Sequence, residues 1–144
     1  MVDVSVKETT DRIARATGSI RMNSATLAAI QTNALKKGDV LSVARLAGIM
    51  AAKRTPDLIP LCHPIVLHDI EVALRADDTL PGLRAEAVVK SSGRTGVEME
   101  AMTAVAVALL TVYDMAKAID RAMAIGEVLL VEKAGGKSGH WSRG

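Results

Sequence analysis

The sequence predicts an α+β domain in which helices cover one face of an antiparallel sheet. The segment from Gly96 to Asp120 is apolar at every position between 101 and 113 except two threonines, and it predicts a buried core helix. Two alternating segments, 65–76 and 83–90, flank a turn and predict a β-hairpin. The predicted order is strand, helix pair, strand, strand, helix, strand. This order is the split βαβ arrangement called ferredoxin-like.

Helix-capping residues and the spacing of apolar residues predict the elements that precede the hairpin. Residues 1–16 are polar and charged, which predicts a partly mobile segment, and residues 17–22 alternate as a first strand. Asn23 and Ser24 predict the start of a helix that ends near Leu35. Asp39 predicts the cap of a second helix through Arg54. The apolar positions that follow its helical period are Val43, Leu46, Ala47 and Met50.

Prolines, glycines and helix-capping residues indicate the boundaries of the remaining segments. Three prolines in TPDLIPLCHP, residues 55–64, predict an irregular loop. Thr95 followed by Glu98 fits a capping box at the start of the core helix. Residues 126–132 predict a last strand, after which the Gly-rich tail KAGGKSGHWSRG follows.

Composition limits the class of protein. The 144 residues predict a single domain, 1–144, and 49% hydrophobic content with no Phe predicts an aliphatic core. The apolar excess in so small a chain indicates a homo-oligomer. A net charge of +2 with interspersed signs argues against nucleic-acid binding, and the apolar run is shorter than the roughly 20 residues that cross a membrane. The single Cys62, with no apolar leader, predicts a reducing, cytoplasmic compartment.

The proline-rich loop is the first candidate for chemistry. It presents Asp57, Cys62 and His63 on a stiffened segment, which suits ligand contacts; a plain connector is the alternative. Because Cys62 and His63 are adjacent and no second pair has ligand spacing, the sequence predicts no zinc site.

The core helix carries ionisable residues at both ends. Glu98 and Glu100 open it, where a favourable interaction with the helix dipole is the alternative to a functional role. Asp114 interrupts the apolar run and Lys117 lies one turn later; an exposed ion pair is the alternative there. At ~100° per residue, Glu100 and Asp114 lie within roughly 40° of one face.

The tail KAGGKSG is similar to the end of a phosphate-binding Walker motif. The full motif would require a Gly at Val131 and a helix after the lysine, and neither is present. A Gly-rich basic segment can still bind an anion with backbone N–H groups. A disordered C-terminus is the alternative.

Four strings together resemble one family: KKGDV, ARLAGIMAAKRTPDLIPLCHPI, GRTGVEMEAMTAVAVALLTVYDMAKAID and KAGGKSG. The family is that of molybdenum-cofactor biosynthesis protein C, the cyclic pyranopterin monophosphate synthases, and the resemblance covers nearly the whole chain. It implies a ferredoxin-like fold and a homohexamer, a trimer of dimers with active sites at the dimer interface. It also implies conversion of 3′,8-cyclo-7,8-dihydroguanosine triphosphate, which a radical enzyme makes from GTP, to cyclic pyranopterin monophosphate and pyrophosphate.

The same resemblance implies roles for single residues. The catalytic residues are Asp114 and Lys117 of YDMAK and Lys37 of KKGDV. The substrate-binding residues are Leu61, Cys62, His63, Met99, Glu100, Glu98, Lys53, Lys133 and Lys137. Two positions depart from the family pattern, since Pro56 replaces a common aromatic residue and Ala134 replaces a serine. The chain also lacks a longer N-terminal segment that many members carry. No metal ligand or cofactor is expected, and assistance by Mg²⁺ through the triphosphate stays open.

The implied chemistry requires several cations around a triphosphate. Those available are Lys37, Lys53, Arg54 and Lys117. Crowding is expected to lower the pKa of such lysines, so that Lys117, oriented by Asp114, acts as a general acid or base near neutral pH. Two other classes remain. A ligand-binding regulatory module predicts no turnover, and a divalent-metal phosphohydrolase that uses Glu98, Glu100 and Asp114 predicts inactivation by chelators.

Overall fold

The computed structural model describes residues 1–144 as one five-stranded antiparallel sheet with four helices. The strands are β1 (Thr10–Arg21), β2 (Leu67–Asp77), β3 (Gly82–Gly93), β4 (Ala124–Ala134) and β5 (Trp141–Ser142). The helices are α1 (Ser24–Gln31), α2 (Val40–Lys53), α3 (Thr55–Leu58) and α4 (Glu98–Ala116). The strand order is β2-β3-β1-β4-β5. The predicted ferredoxin-like arrangement is therefore confirmed, with β5 added at one edge.

Strand β1 lies at the centre of the sheet and pairs with both β3 and β4. Its side chains alternate, and Ala14, Ala16 and Ile20 are fully buried. The prediction of a mobile segment through residue 16 is wrong from Thr10 onward. The buried residues in this part of the strand are alanines. Their side chains are only weakly apolar, so the sequence pattern is weak although burial alternates regularly.

Helix α4 packs against β1 at close range because the strand contributes a glycine there. A Cβ atom on Gly18 would lie 2.8 Å from Val105 Cγ1 and 2.9 Å from Leu109 Cδ1. Both side chains are fully buried. Helix α4 is long and apolar enough to cross a membrane. The buried core helices of folded proteins often have the same length and composition.

Helix α2 buries mainly small residues, and it exposes three of its larger apolar side chains. Gly48 lies against α4, where an added Cβ would be 3.0 Å from the carbonyl oxygen of Ala104. The predicted core positions of this helix are therefore wrong: Val43 is 42% exposed, Leu46 57% and Met50 49%. On α4, Leu110 is also 57% exposed. These four side chains, Val43, Leu46, Met50 and Leu110, are called the apolar helix surface below.

The predicted caps of α1 and α2 are confirmed. Asn23 Oδ1 accepts a hydrogen bond from Thr26 N at 2.8 Å, and Asp39 Oδ1 accepts one from Ser42 N at 3.2 Å. Helix α1 ends at Gln31 rather than near Leu35. The chain reverses just after it, where Asn33 takes a left-handed conformation with φ 54°.

Two local predictions next to α3 and α4 are wrong. Residues 55–58 form the one-turn helix α3 inside the segment predicted to be irregular, with Pro56 in its first turn, where a missing N–H is tolerated. The expected capping box at α4 does not form, since Val97 is the N-cap and no side chain caps the helix.

Replacing Gly18 by alanine should destabilise the protein by about 1–3 kcal/mol, because the new methyl group would force Val105 and Leu109 to move. The matched control is Gly126→Ala, where the added Cβ would have no atom within 4 Å. Thermal unfolding of both variants measures the difference. Equal melting temperatures for the two would contradict the close packing of α4 on β1.

Candidate active site

Three ionisable side chains meet at the C-terminal end of α4. Lys117 Nζ donates to Asp114 Oδ1 at 2.8 Å, and Lys37 Nζ donates to Asp114 Oδ2 at 3.0 Å. Lys37 also donates to the backbone oxygen of Asp114 at 3.2 Å. All three side chains are about half exposed, so a ligand can reach them. The structure thus brings together the three predicted catalytic residues, called the lysine–aspartate cluster below.

Buried hydrogen bonds fix the backbone around this cluster. Asp120, which is buried, accepts hydrogen bonds from Asn23 N and Thr26 Oγ1, each at 3.0 Å. The start of α1 is thereby tied to the turn that follows α4. Tyr113 Oη donates to the carbonyl oxygen of Arg121 at 3.0 Å across the same turn. The loop that carries Lys37 leaves α1, so these contacts set where it meets Asp114.

The charges in the cluster stabilise one another. Hydrogen bonds from Lys117 and Lys37 lower the pKa of Asp114, and the hydrogen bond to Asp114 raises the pKa of Lys117. The expected lowering of the Lys117 pKa is therefore wrong, because attraction to the carboxylate between the two lysines dominates. At neutral pH Lys117 is an ammonium group that can donate a proton and bind an anion.

The other end of α4 carries a carboxyl group in the opposite environment. Glu100 is only 3% exposed, and burial raises its pKa. Burial and the neighbouring Glu100 charge also raise the pKa of the Cys62 thiol. Glu100 lines a cleft of about 330 Å³ with Lys53, Pro56 and other residues, called the Glu100 cleft below. Two of the predicted binding residues, Lys53 and Glu100, therefore line one cleft, and a third, Cys62, lies close enough to be influenced by the Glu100 charge.

The remaining predicted residues of this region differ in exposure. Leu61 is 68% exposed and Met99 36%, whereas His63 and Glu98 are half-buried. The pKa of Asp3 is lowered by hydrogen bonds from Ser5 and, more weakly, by the charge of His63, which places the N-terminal segment near His63.

The tail forms a closed loop rather than a free end. Residues 135–139 connect β4 to β5 and are called the glycine–lysine loop below. Gly135 and Gly136 have φ values of +97° and +78°, and any Cβ there would overlap Asp11 or Arg12. Only glycine allows this contact of the loop with β1. Of the predicted lysines, Lys133 contacts Ser138 Oγ across the loop, and Lys137 lies within it.

Arg12 is a candidate that the sequence analysis missed. It lines a cleft of about 360 Å³ together with the cations Lys7 and Lys137. Its Nε donates to the carbonyl oxygen of Gly93 at 3.0 Å, just before α4. Its signal in the sequence is the alternation of charged residues with Ala14 and Ala16, a pattern that is typical of a strand and not of a mobile segment.

The predicted residues fall into two groups at opposite ends of α4. Arg12 donates to Gly93 and lies against the glycine–lysine loop. Ile65, which lines the Glu100 cleft, lies 3.8 Å from the position that a Cβ atom on Gly93 would take. Asp114 lies 14 residues beyond Glu100, which at ~1.5 Å per residue is roughly 21 Å along the helix. One chain does not bring all predicted residues to one site. For the same reason Glu100 and Asp114 of one chain cannot share a metal ion, and no group of three or more His, Cys, Asp or Glu side chains could hold one.

Comparison with known proteins identifies the family. A sequence model of the MoaC family matches residues 1–136. The chain is 58% identical over 142 residues to the cyclic pyranopterin monophosphate synthase of Brucella ovis, covering 99% of this chain and 86% of that protein. It is 60% identical over 141 residues to the protein of the same name from Dinoroseobacter shibae, covering 98% and 89%. Such identity over nearly full length leaves one conclusion, which is that this chain belongs to the MoaC family.

Proposed function

We propose that this protein converts 3′,8-cyclo-7,8-dihydroguanosine triphosphate to cyclic pyranopterin monophosphate, a lyase reaction that releases pyrophosphate in molybdenum cofactor biosynthesis. The observation that supports this most directly is Asp114 held between Lys37 and Lys117, in a chain whose relatives are named for that synthase. No cofactor is required in this proposal, and Mg²⁺ enters only with the triphosphate. The single thiol, Cys62, suits a reducing cytoplasm.

Each active site in this proposal lies between two copies of the chain. Val107 is midway between Glu100 and Asp114, so a twofold axis near it would pack two α4 helices antiparallel. The lysine–aspartate cluster of one copy would then meet the Glu100 cleft of the second. The apolar helix surface supplies the contact that such a pair buries, since exposed apolar side chains mark subunit interfaces. A homohexamer, built as a trimer of these dimers, is the assembly we propose.

The two groups of residues divide the chemistry between them. Glu100, Cys62 and His63 bind the guanine-derived part of the substrate through hydrogen bonds. Lys117 donates protons as the purine ring opens and the pyrazine ring closes, and Asp114 keeps it protonated until then. Lys37 is held in the same arrangement by the second carboxylate oxygen.

The phosphates are bound by the cations at the start of α4. Lys53, Arg12 and the lysines of the tail neutralise the triphosphate. A ribose-derived oxygen attacks the α-phosphorus, a new P–O bond forms, and the bond to the β-phosphate oxygen breaks as pyrophosphate leaves. Charge neutralisation by fixed cations is the main protein contribution to such a step. Leu61, Met99 and Glu98 complete the wall of this region.

Lys117→Ala and Asp114→Ala should each lower turnover by roughly 10²–10⁴-fold, the usual contribution of a general acid or base. The double variant should be little worse than the worse single, because the two side chains act as one unit. Lys117→Arg should also fail, since a guanidinium is a much weaker acid than an ammonium group and donates its proton far less readily. Conversion of the cyclic dihydro-GTP intermediate is the assay.

Lys36→Ala is the matched control for these variants, because Lys36 is exposed, lies beside Lys37 and makes no side-chain hydrogen bond. It should retain wild-type turnover. A folded Lys117→Arg enzyme with normal turnover would show that Lys117 acts only as a positive charge, and the proton donor would then have to be another residue.

Mixing two inactive variants tests the shared site. Lys117→Ala and His63→Ala alter the two groups of residues at opposite ends of α4. Each variant alone therefore forms oligomers in which no site is complete. In a hybrid pair one of the two sites is free of both substitutions, and a random 1:1 mixture should recover about a quarter of wild-type activity. The measurement is turnover after co-expression, with the oligomer mass checked in solution. No recovery from well-assembled hybrids would place each active site within a single chain.

A further inference from the structure

Strand β5 closes the glycine–lysine loop onto the edge of the sheet. Trp141 pairs with Lys133 and Ser142 with Glu132. Arg143 then donates from its backbone N to the carbonyl oxygen of Val131 at 2.9 Å and from Nε to that of Leu130 at 2.8 Å. Its guanidinium lies 5.7 Å from the centre of the Trp141 ring, a cation–π distance. The last residues of the chain are thus attached to β4 by main-chain and side-chain contacts.

A chain of charged contacts continues from this strand across the sheet. His140 Nε2 lies 2.9 Å from Glu132 Oε2, and the carboxylate accepts the hydrogen bond. The other oxygen, Oε1, lies 3.5 Å from Arg15 Nε, and Arg15 Nη1 lies 3.3 Å from Glu86 Oε2. These contacts connect β3, β1 and β4 to the residue that directly follows the loop. The hydrogen bond from His140 is the largest influence that lowers the pKa of Glu132.

The loop between these attachments has little freedom. It spans five residues, 135–139, between the end of β4 and His140. At its start, Gly135 and Gly136 are packed against Asp11 and Arg12 of β1. At its end, His140 and Trp141 hold it to β4. A loop that is ordered before a ligand arrives loses less conformational entropy when the ligand binds, and it therefore binds more tightly.

We propose that β5 and His140 act as a clasp that holds the glycine–lysine loop in the arrangement that binds the triphosphate. His140, Trp141 and Arg143 are then positioning residues for Lys133 and Lys137, which touch the phosphates. The inference rests on the proposed function, because it assigns the triphosphate end of the substrate to this loop. It assigns a positioning role to His140, Trp141 and Arg143, which themselves touch no substrate.

A series of substitutions at His140 tests the clasp. His140→Gln keeps an N–H donor for Glu132 and should leave KM within about twofold of wild type, whereas His140→Ala should raise KM about tenfold because the loop must then be ordered on binding. His140→Glu places like charges together and should raise KM further. In all three, kcat should stay within about twofold, since the lysine–aspartate cluster is untouched. Ser142→Ala, on the same strand, is the control and should match wild type.

Two further measurements on the assembled enzyme do not depend on turnover. Inorganic triphosphate should bind His140→Ala about tenfold more weakly by calorimetry, and amide hydrogen exchange of residues 135–139 should be faster. Equal KM, equal triphosphate affinity and equal exchange in all His140 variants would overturn the clasp. If wild type does not turn over the cyclic dihydro-GTP intermediate while loop exchange and triphosphate binding still respond to His140, the proposed function fails and the clasp stands.

Discussion

The close contact between α4 and β1 determines how the rest of this protein is arranged. Gly18 lets the helix approach the strand, and Gly48 lets α2 approach α4 in the same way. A core built from such small side chains leaves the larger ones, such as Leu46 and Leu110, on the outside. Apolar side chains that the core does not accommodate therefore lie on the apolar helix surface. That placement leaves an apolar surface available for the association that we propose.

Helix α4 also sets the distance between Glu100 and Asp114 and places these two carboxyl groups in environments that shift their pKa values. Its two candidate site carboxyl groups experience opposite environments: burial raises the pKa of Glu100, and hydrogen bonds from two lysines lower the pKa of Asp114. A site that joins the two ends would therefore combine a carboxyl group that tends to hold its proton with one that stays ionised. Such a difference is how enzymes assign acid and base roles to similar groups. The helix length makes this combination available only between copies.

Periodicity predicted the hairpin, α4, two caps and the Asp114–Lys117 pair, because each depends on neighbours in sequence. It missed the start of β1, whose buried residues are alanines, and it selected the wrong face of α2, where small residues decide the packing. The two-residue strand β5 exists only through pairing with β4, so no local pattern predicts it. Likewise Lys37 meets Asp114 across 77 positions. The family resemblance implied a catalytic role for each residue, but neither it nor the spacing predicted their contact.

The two departures from the family pattern have different consequences for the site. Ala134 is the last residue of β4, paired with Ile13, and the adjoining loop is shaped by glycine backbone, so a missing hydroxyl leaves its N–H groups in place. Pro56 instead lines the Glu100 cleft at a position where the resemblance implies an aromatic residue. The two aromatic side chains of this protein make contacts elsewhere, since the Tyr113 hydroxyl donates to the carbonyl oxygen of Arg121 and the Trp141 ring lies against Arg143. The binding of a purine-derived ring that we propose here therefore relies on hydrogen bonds and charge rather than on stacking.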